Sequence, residues 1–428
     1  MNHFSANRLR TPGELIAALK QTHPGESCLL LESQLEGHPS SVQTFVAGKP
    51  VRECRVKDGA VTVTEHGTSR TFTGSPWHVL RDFHQAGKGW LFGFIGYEAN
   101  HAAFGLNPSG EALYDAPDLY FFEPSLLARF SHGHVEWLRG SAPAPVPSAE
   151  PEAVTGPPKS LIEREHYLAA VRDIQQLIKE GAFYEMNYTY PMELVFEGSG
   201  WELYESMKRI NPVPFGVYAQ LGNLEICSAS PERFLQKKGN WICSEPIKGT
   251  TARSADPAQD QQYKQELLNE KNRAENLMIV DLVRHDFSTV CAPGSVAVEA
   301  LYDIQTFGTV HQMISRVVGQ LQSGNDLFDA LEAAFPMGSM TGAPKRRVMH
   351  QIDAMEPYRR GIYSGSFGYI TPDGDADFNV VIRTAIVSGT SVFYNVGGAI
   401  TGDSDPVDEW KETRIKARSI TGWPAGKM

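Results

Sequence analysis

A proline-rich segment at residues 141–158 limits the fold of this chain more than any other stretch. It reads Ser-Ala-Pro-Ala-Pro-Val-Pro-Ser-Ala-Glu-Pro-Glu-Ala-Val-Thr-Gly-Pro-Pro and is the only low-complexity run in the sequence. Proline fixes its own backbone torsion and lacks an amide donor, so such a run cannot belong to a regular helix or sheet. We therefore predict a solvated linker between an N-terminal β-rich portion, residues 1–140, and a larger portion, residues 159–428.

Strand composition dominates the N-terminal portion. Residues 27–33 form a short apolar run that indicates a buried strand, and residues 42–46 and 51–56 have strand composition as well. Gly48-Lys49-Pro50, between the last two runs, predicts a turn. The glycine-spaced apolar run at 89–97 predicts a core strand in which glycine permits close approach of another backbone.

Helical periodicity appears after the proline-rich segment. Apolar residues recur at helical spacing over 167–178 and again over 261–285, whereas residues 183–196 alternate as a strand does. A further helix is predicted to begin at Asp405-Pro406, with aspartate as the N-cap and proline at the first helical position. The pattern as a whole indicates mixed α and β structure.

Composition and charge exclude several classes of protein. Hydrophobic residues make up 41% of the chain and charged residues 21%, as is typical of globular proteins. A net charge of −11 without any basic run argues against a nucleic-acid surface. Residues 1–10 contain no apolar signal core and no stretch reaches transmembrane length, so we expect no membrane association and a cytoplasmic location. The five cysteines lack C-x-x-C spacing, which predicts neither a zinc site nor a disulfide framework.

A predicted hairpin brings two reactive side chains toward each other. Residues 235–244 have apolar flanks around a Lys-Gly-Asn turn, with Glu232 before the hairpin and Lys248 after it. A carboxyl group and an amine held together can provide an acid and a nucleophile. They can equally form a surface salt bridge, and the two residues alone leave both interpretations open.

Further polar residues occur at helical spacing. Asn272 and Glu275, three apart, share one face of the helix predicted over 261–285. Glu409, Glu412 and Lys416 lie on one stripe of the helix that begins at Asp405. Such a stripe is typical of solvated i,i+4 pairing, and it would also suit a binding site.

Three glycine-rich pieces occupy residues 336–345, 365–369 and 395–400. None has the Gly-Lys-Ser/Thr order of a Walker A loop and none fits G-x-G-x-x-G, so we exclude nucleotide binding. Their backbone N–H groups could still hold an anion such as a carboxylate. Arg383 lies in an otherwise apolar predicted strand, where an unpaired charge is costly. It meets either a structural carboxylate or an anionic ligand.

Taken together, the motifs resemble the chorismate-utilising enzymes. The resemblance covers nearly the whole chain, is strongest over 181–418, and rests on matches in order at residues 230–234, 246–253, 273–282, 338–345, 382–384 and 409–416. It implies an α+β fold, a β-sandwich of two β-rich subdomains with helices outside and the active site between the sheets. Lysine at position 248 is the mark of the branch that aminates chorismate at C4 in 4-aminobenzoate and folate biosynthesis. The alternative is the anthranilate synthase branch, which usually carries alanine there.

The resemblance also implies roles for individual residues. Lys248 would attack C2 of chorismate and Glu232 would protonate the departing 4-hydroxyl. Glu275 and Glu412 would hold Mg²⁺, supported by Glu409 and Asn272. The implied substrate-binding residues are Arg383, Tyr369, Lys416, Gly398, Ala399, Thr250, His311 and Thr341. For this chemistry we expect a lowered pKa for Lys248, through burial and nearby cations such as Arg253, and a raised pKa for Glu232.

Several positions depart from the family pattern. Glu185 stands where amine-adding members often have Gln and water-adding members have a lysine base, so we hypothesise that Glu185 positions ammonia. The run Arg284-His285-Asp286-Phe287-Ser288 replaces Arg-Asn-Asp-Leu-Gly, with an effect that the sequence does not reveal. Asn272 replaces a carboxylate and Ala399 replaces a glycine, which thins the metal shell in the first case and retains a backbone contact in the second.

The resemblance extends to a second pocket and to a partner. The two halves of the tryptophan-binding pocket of the family correspond to Leu31, Glu32, Ser33, Asn211, Pro212 and Phe215. That pocket is a feedback site in anthranilate synthases, and we expect a structural role here. The chain has no glutaminase nucleophile segment, which implies ammonia delivery by a separate glutamine amidotransferase subunit.

Overall fold

A computed structural model describes most of the chain and gives it an α+β fold. The described residues are 11–35, 43–131, 133–144, 146, 157–307 and 310–421. Most of the proline-rich segment, including residues 147–156, lies outside them. Within the described part, the fold consists of one large antiparallel strand network and ten α-helices, which confirms the predicted class.

Twenty-one strands form this hydrogen-bonded network. Those before the proline-rich segment are β1 (Cys28–Glu32), β2 (Thr44–Lys57), β3 (Ala60–Glu65), β4 (Thr68–Thr73), β5 (Leu91–Ile95), β6 (Leu119–Ser131) and β7 (His134–Arg139). Those after it are β8 (Lys159–Ser160), β9 (Glu185–Val195), β10 (Phe215–Leu221), β11 (Leu224–Ser230), β12 (Arg233–Lys238), β13 (Trp241–Glu245), β14 (Ile247–Ala252), β15 (Ala297–Thr306), β16 (Val310–Gln320), β17 (Gly342–Ala343), β18 (Ser366–Ile370), β19 (Ala376–Asn379), β20 (Thr384–Ser388) and β21 (Ser391–Ile400). Strands of the two portions pair with each other, since β1 pairs with β10 and β5 with β18.

Ten α-helices accompany the strands in the described part of the chain. They are α1 (Pro12–Thr22), α2 (Pro76–Gly87), α3 (His101–Phe104), α4 (Arg164–Lys179), α5 (Gly200–Ile210), α6 (Pro257–Leu267), α7 (Glu270–Ser288), α8 (Leu327–Ala334), α9 (Lys345–Met355) and α10 (Pro406–Thr421). The first three lie where the sequence indicated mostly strands. None of these helices, as far as the structure describes them, has the length and apolar content needed to cross a membrane.

Three hydrophobic cores show how the layers pack. One is built almost wholly from strand residues, such as Phe45, Phe94 and Ile386, and lies between strand faces. The other two combine strands with helices, α1, α4, α5, α9 and α10 in one and α2, α7 and α8 in the other. Strand faces therefore form the inner core and the helices cover the outside, as expected from the sequence.

The turn predicted at residues 48–50 does not form. β2 continues through it and pairs with β6 along nearly its whole length, with a register shift between Pro50 and Arg52. Lys49 adopts a positive φ of 57° at this point. A β-bulge accommodates both the strained backbone and a proline that cannot donate to the ladder, so the strand bends instead of reversing.

The helix predicted over 261–285 is two helices. α6 ends at Leu267, and α7 begins after Asn269. The Asn269 side chain accepts a hydrogen bond from the N–H of Asn272 at 2.8 Å and donates to the carbonyl of Glu266 at 2.8 Å. One asparagine thus caps both helix ends, a competition with helical hydrogen bonding that apolar periodicity does not reveal.

Two elements that position the candidate site agree with the sequence. β9 follows the predicted strand and is buried on both faces over most of its length. α10 begins at Pro406, and the Asp405 side chain accepts hydrogen bonds from the N–H groups of Val407 and Asp408 at 2.9 Å each, as an N-cap does. β9 pairs with β21, and α10 packs on β21, so both elements border the same region.

Candidate active site

Lys248 stands on β14, directly after the hairpin of β12 and β13. Its Nζ atom lies 2.9 Å from Oε2 of Glu275 on α7 and 3.6 Å from Oε1 of Glu185 on β9. Among the ion pairs of the described residues, none joins Lys248 to Glu232. The salt bridge considered from the sequence therefore does not form, and Lys248 faces two other carboxylates.

Two opposing effects set the pKa of Lys248. Burial lowers this pKa, but attraction by Glu185 and Glu275 outweighs burial and raises it above the ordinary value. The sequence led us to expect a lowered pKa, with Arg253 contributing positive charge. Arg253 instead donates from Nε to Asp260 at 2.9 Å, so this cation is neutralised locally and the carboxylates dominate around Lys248.

Glu232 immediately precedes β12 and is only 5% exposed. The hydroxyl of Ser339 donates to Oε1 of Glu232 at 2.9 Å. Burial raises the pKa of Glu232 to about 7, although this hydrogen bond and the charge of Lys248 oppose the rise. The rise agrees with expectation, and a carboxylic acid that holds its proton near neutral pH can act as a general acid.

The polar stripe of α10 points toward β21. Nζ of Lys416 lies 2.7 Å from Oε1 of Glu412 and donates to the carbonyl of Gly397 at 2.8 Å, while Ser404 donates to Oε1 of Glu409 at 2.7 Å. A Cβ atom on Gly398 would lie 3.3 Å from Nζ of Lys416 and 3.9 Å from Oε1 of Glu412. The predicted i,i+4 pair is present. The charged ends of these side chains lie close to Gly398, which has no side chain of its own.

The carboxylates fit a hard divalent cation only in part. Glu275 on α7 lies 2.9 Å from Nζ of Lys248, and the charge of Glu412 on α10 also contributes to the raised pKa of this lysine. No group of three or more His, Cys, Asp or Glu side chains within the described residues is arranged to hold a metal. Mg²⁺ usually takes one or two protein carboxylates and keeps waters or substrate oxygens as its other ligands. Two glutamates on separate helices suit that chemistry. The side-chain amide nitrogen of Asn272 already donates a hydrogen bond to the carbonyl of Leu267 at 3.1 Å.

Arg383 does not lie within a strand, contrary to expectation. It occupies the segment between β19 and β20 with a φ of 51°, an uncommon backbone conformation for a non-glycine residue. Its side chain forms no hydrogen bond or ion pair with any residue that the structure describes. Burial lowers its pKa, and the nearby charge of Glu232 opposes this effect. Of the two interpretations left open, the structural carboxylate is not observed.

Several other predicted substrate-binding positions also have protein partners. The ring of His311 is fully buried between Asp260, 2.9 Å from Nε2, and Thr306, 3.0 Å from Nδ1. The Thr341 hydroxyl is likewise buried and donates to the carbonyl of Met337 at 3.0 Å. Thr250 pairs with Gln312 on β16 and Ala399 pairs with Asn187 on β9, both through the backbone.

A second cavity contains most of the residues predicted for the tryptophan-like pocket. These are Leu31, Glu32, Ser33 and Phe215. Asn211 and Pro212 are not part of its lining, since Asn211 caps the end of α5. Tyr369, which we expected near the substrate, also lines this cavity and packs 5.0 Å from the ring of Phe45 and 5.8 Å from that of Trp90. The structure thus groups Tyr369 with the second cavity.

The departure at residues 284–288 falls within the last turns of α7. Asp286 is buried and lies 2.6 Å from Nζ of Lys345, which also donates to the carbonyl of Ala334 at 2.9 Å. Arg284 pairs with Asp281 at 2.8 Å on the exposed face. The segment therefore ties α7 to the start of α9, a structural role that the sequence did not reveal.

Three polar residues near the site were given no role from the sequence. Ser339 holds Glu232, and the Asn187 side chain donates from Nδ2 to the carbonyl of Ser339 at 3.0 Å. Asn187 alternates with Glu185 on one face of β9, a pattern visible in the sequence but equally typical of an ordinary strand. Lys271, 3.8 Å from Oε1 of Glu275 along the same helix, was detectable from i,i+4 spacing.

Comparison with known proteins matches this chain to one family. The sequence model for the chorismate binding enzyme family matches residues 26–422. Aminodeoxychorismate synthase component 1 from Klebsiella aerogenes is 35% identical over 420 residues and 92% of each chain is covered. Aminodeoxychorismate synthase from Streptomyces griseus is 42% identical over 285 residues, which cover 66% of this chain but only 39% of that relative.

An anthranilate synthase component 1 also matches over nearly the whole length of this chain. Anthranilate synthase component 1 from Methanothermobacter thermautotrophicus is 31% identical over 426 residues, covering 96% of this chain and 91% of the relative. The crystal structure of anthranilate synthase component I from Streptococcus pneumoniae superimposes with a TM-score of 0.79 and 24% identity, over 97% of this chain and 99% of that one. This likeness shows that the fold is shared.

Proposed function

The chain belongs to the chorismate binding enzyme family, and we propose that it aminates chorismate at C4 to give 4-amino-4-deoxychorismate. Full-length relatives named aminodeoxychorismate synthase component 1 support this choice. The single observation that carries the proposal is the position of Lys248, with its amine between Glu275 and Glu185. The reaction would serve 4-aminobenzoate and folate synthesis in the cytoplasm.

The proposed chemistry has two displacements. In the first, the neutral amine of Lys248 forms a bond to C2, both ring double bonds shift by one position, from C1=C2 to C1=C6 and from C5=C6 to C4=C5, and the C4–O bond breaks while Glu232 gives its proton to the departing hydroxyl. In the second, ammonia forms a bond to C4, both double bonds shift back, the C2–Nζ bond breaks with its electrons returning to Lys248, and the carboxylate of Glu232 takes the surplus proton of the new amine. Chorismate and ammonia thus become 4-amino-4-deoxychorismate and water, and a covalent nucleophile divides one hard displacement into two easier ones.

The charges around Lys248 require a counter-ion for this chemistry. Because Glu275 raises the pKa of Lys248, attack by the free amine needs that carboxylate to be neutralised by another partner. Glu275 and Glu412 would hold Mg²⁺, with Glu409 close by, and the bound metal would offset the charge of the ring carboxylate of chorismate. Two glutamates on separate helices whose charges both act on Lys248 support this assignment.

Chorismate is a dianion, so the site needs positive charge and N–H donors as well. We assign its carboxylates to Arg383, to Lys416 and to the backbone at Gly398 and Ala399. A guanidinium that forms no ion pair within the described residues supports the first of these, because a partly buried charge is costly unless a ligand pairs with it. Thr250, His311 and Thr341, whose protein partners are given above, would border the pocket. Tyr369 would not.

We propose that ammonia reaches Glu185 from a separate glutamine amidotransferase subunit. The name component 1 of the full-length relatives supports a partner chain. The carboxylate of Glu185 can accept hydrogen bonds from ammonia next to Lys248. Glu185→Gln should raise the KM for ammonia in a steady-state assay with ammonium salt. An unchanged KM and turnover would exclude this role for Glu185.

Product identity tests the proposed function. Purified protein with chorismate, Mg²⁺ and ammonium salt should form 4-amino-4-deoxychorismate, identified by mass spectrometry and chromatography. The second candidate is anthranilate synthesis, which the Methanothermobacter relative favours and which also releases pyruvate. Formation of anthranilate and pyruvate would replace our assignment with this one. Omission of Mg²⁺ in the presence of a chelator should abolish turnover.

For the second cavity we propose a structural role. Glu32 already accepts hydrogen bonds from Tyr204 and Lys208, each at 2.7 Å. Asp377, on the same lining, accepts from two nitrogens of Arg233 at 2.9 and 3.0 Å. Charges that are fully engaged with the protein support packing more than ligand binding. Isothermal titration with tryptophan should give no heat of binding, and heat with a defined stoichiometry would show that the cavity binds this ligand.

A further inference from the structure

Two acceptor oxygens on β9 are buried without any hydrogen-bond partner in the described part of the chain. They are Oε2 of Glu185, which is 2% exposed, and Oδ1 of Asn187, which is 8% exposed. The two residues are separated by one position, so both side chains lie on the same face of the strand. Because a buried unpaired acceptor destabilises the fold, such a pair requires an explanation.

The neighbours of this pair are the reactive groups of the proposed mechanism. Oε1 of Glu185 lies 3.6 Å from Nζ of Lys248. On the other side, Nδ2 of Asn187 donates to the carbonyl of Ser339 at 3.0 Å, and the hydroxyl of Ser339 donates to Glu232 at 2.9 Å. Glu185 thus lies beside the nucleophile Lys248, and Asn187 is connected to the acid Glu232 through Ser339.

The backbone of Asn187 is held firmly in this place. Its N–H donates to the carbonyl of Thr341 at 2.8 Å, and its carbonyl accepts from Nη2 of the buried Arg360 at 2.9 Å. Nδ2 is engaged with Ser339 at the same time, so rotation of the amide toward another partner would break a hydrogen bond. The free Oδ1 is therefore a fixed acceptor, as a preorganised binding group should be.

We propose that Asn187 and Glu185 together bind the ammonia that attacks C4, each accepting one N–H. The inference rests on the proposed amination and extends it, because it assigns the second acceptor to a residue with no other role in the mechanism. Ammonia has three N–H donors and one lone pair. Two acceptors on the same side of the molecule fix its orientation and leave the lone pair free to form the bond to C4.

The test measures the KM for ammonia at saturating chorismate, by formation of 4-amino-4-deoxychorismate. Asn187→Leu removes the acceptor with little change in volume, and loss of one hydrogen bond should raise this KM about tenfold. The KM for chorismate should stay unchanged. Asn187→Ala introduces no new bulk and should give the same rise, so a leucine variant that fails to fold leaves the test standing.

Asn187→Asp tests the acceptor oxygen Oδ1 apart from the donor nitrogen Nδ2. Aspartate keeps an acceptor oxygen but cannot donate to the carbonyl of Ser339, so under our proposal its KM for ammonia stays well below that of the leucine variant. Equal impairment of the aspartate and leucine variants would assign Asn187 to support of Ser339 and overturn the proposal. A rise in the KM for chorismate instead of ammonia would overturn it too, because the oxygen would then bind the 4-hydroxyl.

Tyr188→Phe provides the matched control. The Tyr188 hydroxyl is also buried without a partner in the described residues, but it belongs to the opposite face of the same strand. Its removal should leave the KM for ammonia unchanged, and a similar rise there would mean that any change in β9 disturbs the site. Failure of the wild-type protein to form 4-amino-4-deoxychorismate would refute the proposed function, an outcome distinct from failure of Asn187 alone.

Discussion

Arg360, which precedes β18, and Arg383, which precedes β20, differ in the hydrogen bonds that their guanidinium groups form. Arg360 is 1% exposed and donates to Glu356 through Nε at 2.8 Å and Nη2 at 2.6 Å. It also donates to the carbonyls of Met340 and Asn187 at 2.7 and 2.9 Å. Arg383 has no such partner among the residues described here. One guanidinium is fully used within the protein, and the other is available to a ligand.

The same contrast separates the regions around these two arginines. In the Arg360 region, the carboxylate of Glu356 also accepts from the N–H and hydroxyl of Thr189 at 2.9 and 3.1 Å. In the region of Lys248, by contrast, Glu185 keeps one oxygen unpaired and several carboxylates compete for the lysine. A saturated polar network fixes a fold, whereas an unsaturated one marks the place where a ligand completes the hydrogen bonding.

The largest effect should come from the unsaturated region. Lys248→Ala removes the nucleophile, and we expect amination to fall by a factor on the order of ten thousand or more. The free energy of unfolding should also fall, because Glu185, which is 2% exposed, loses its cation, but the loss of activity should be the larger effect. Turnover with ammonium salt and a urea denaturation curve would measure both. Full activity of the variant would exclude the covalent mechanism while leaving the reaction itself intact.

The saturated region should respond in stability instead. Arg360→Met leaves the buried carboxylate of Glu356 without its cation, which should cost about 3–5 kcal/mol of the free energy of unfolding. Urea denaturation of wild type and variant would measure this loss.

The double variant Arg360→Met, Glu356→Gln is the control for that measurement. The glutamine carbonyl can still accept from Thr189 without a buried charge, so the double variant should be more stable than Arg360→Met alone. If the double variant were less stable than the single one, the carboxylate would not be the source of the loss.

Arg383→Met should weaken substrate binding without a loss of stability, the reverse of the effect expected for Arg360→Met. No protein partner within the described residues is lost, so the free energy of unfolding should stay the same or rise. Loss of a charge-assisted hydrogen bond to a substrate carboxylate should weaken chorismate binding by about 1.5–3 kcal/mol. The KM for chorismate and a denaturation curve would test the pair of outcomes. A marked loss of stability would place Arg383 with Arg360 as a structural residue.

The contrast between the two arginines also shows how far the sequence leads. The hairpin ahead of Lys248, the stripe on α10 and the capped start of that helix follow from local patterns, because spacing and turn residues determine them. Arg383 stood out in the sequence as a charge in an apolar run, yet nothing local shows which partner it or Arg360 would find. Whether a guanidinium finds a carboxylate depends on residues far away in the chain, and so does the pKa of Lys248.

Some local patterns also failed for physical reasons. Apolar periodicity continues through Asn269, so the break between α6 and α7 was missed, since a single side chain caps both ends. The resemblance implied that Tyr369 binds substrate, but its ring packs against Phe45 and Trp90, which are distant in sequence. A family resemblance therefore does not show which distant side chains surround each residue.

Glu232 should make the stability of the fold depend on pH. Burial raises the pKa of Glu232 to about 7, above its ordinary value of 4.5, so the folded state binds the extra proton between these limits. The free energy of unfolding should therefore fall as pH rises through this window, by at most about 1.4 kcal/mol per pH unit. Glu232→Gln removes this contribution, so the variant should gain stability relative to wild type between pH 5 and pH 7, measured by urea denaturation. Amination by wild type should fall above pH 7 as the acid loses its proton. An equal stability difference at both pH values would mean that the pKa of Glu232 is the same in the folded and unfolded states and would contradict this prediction.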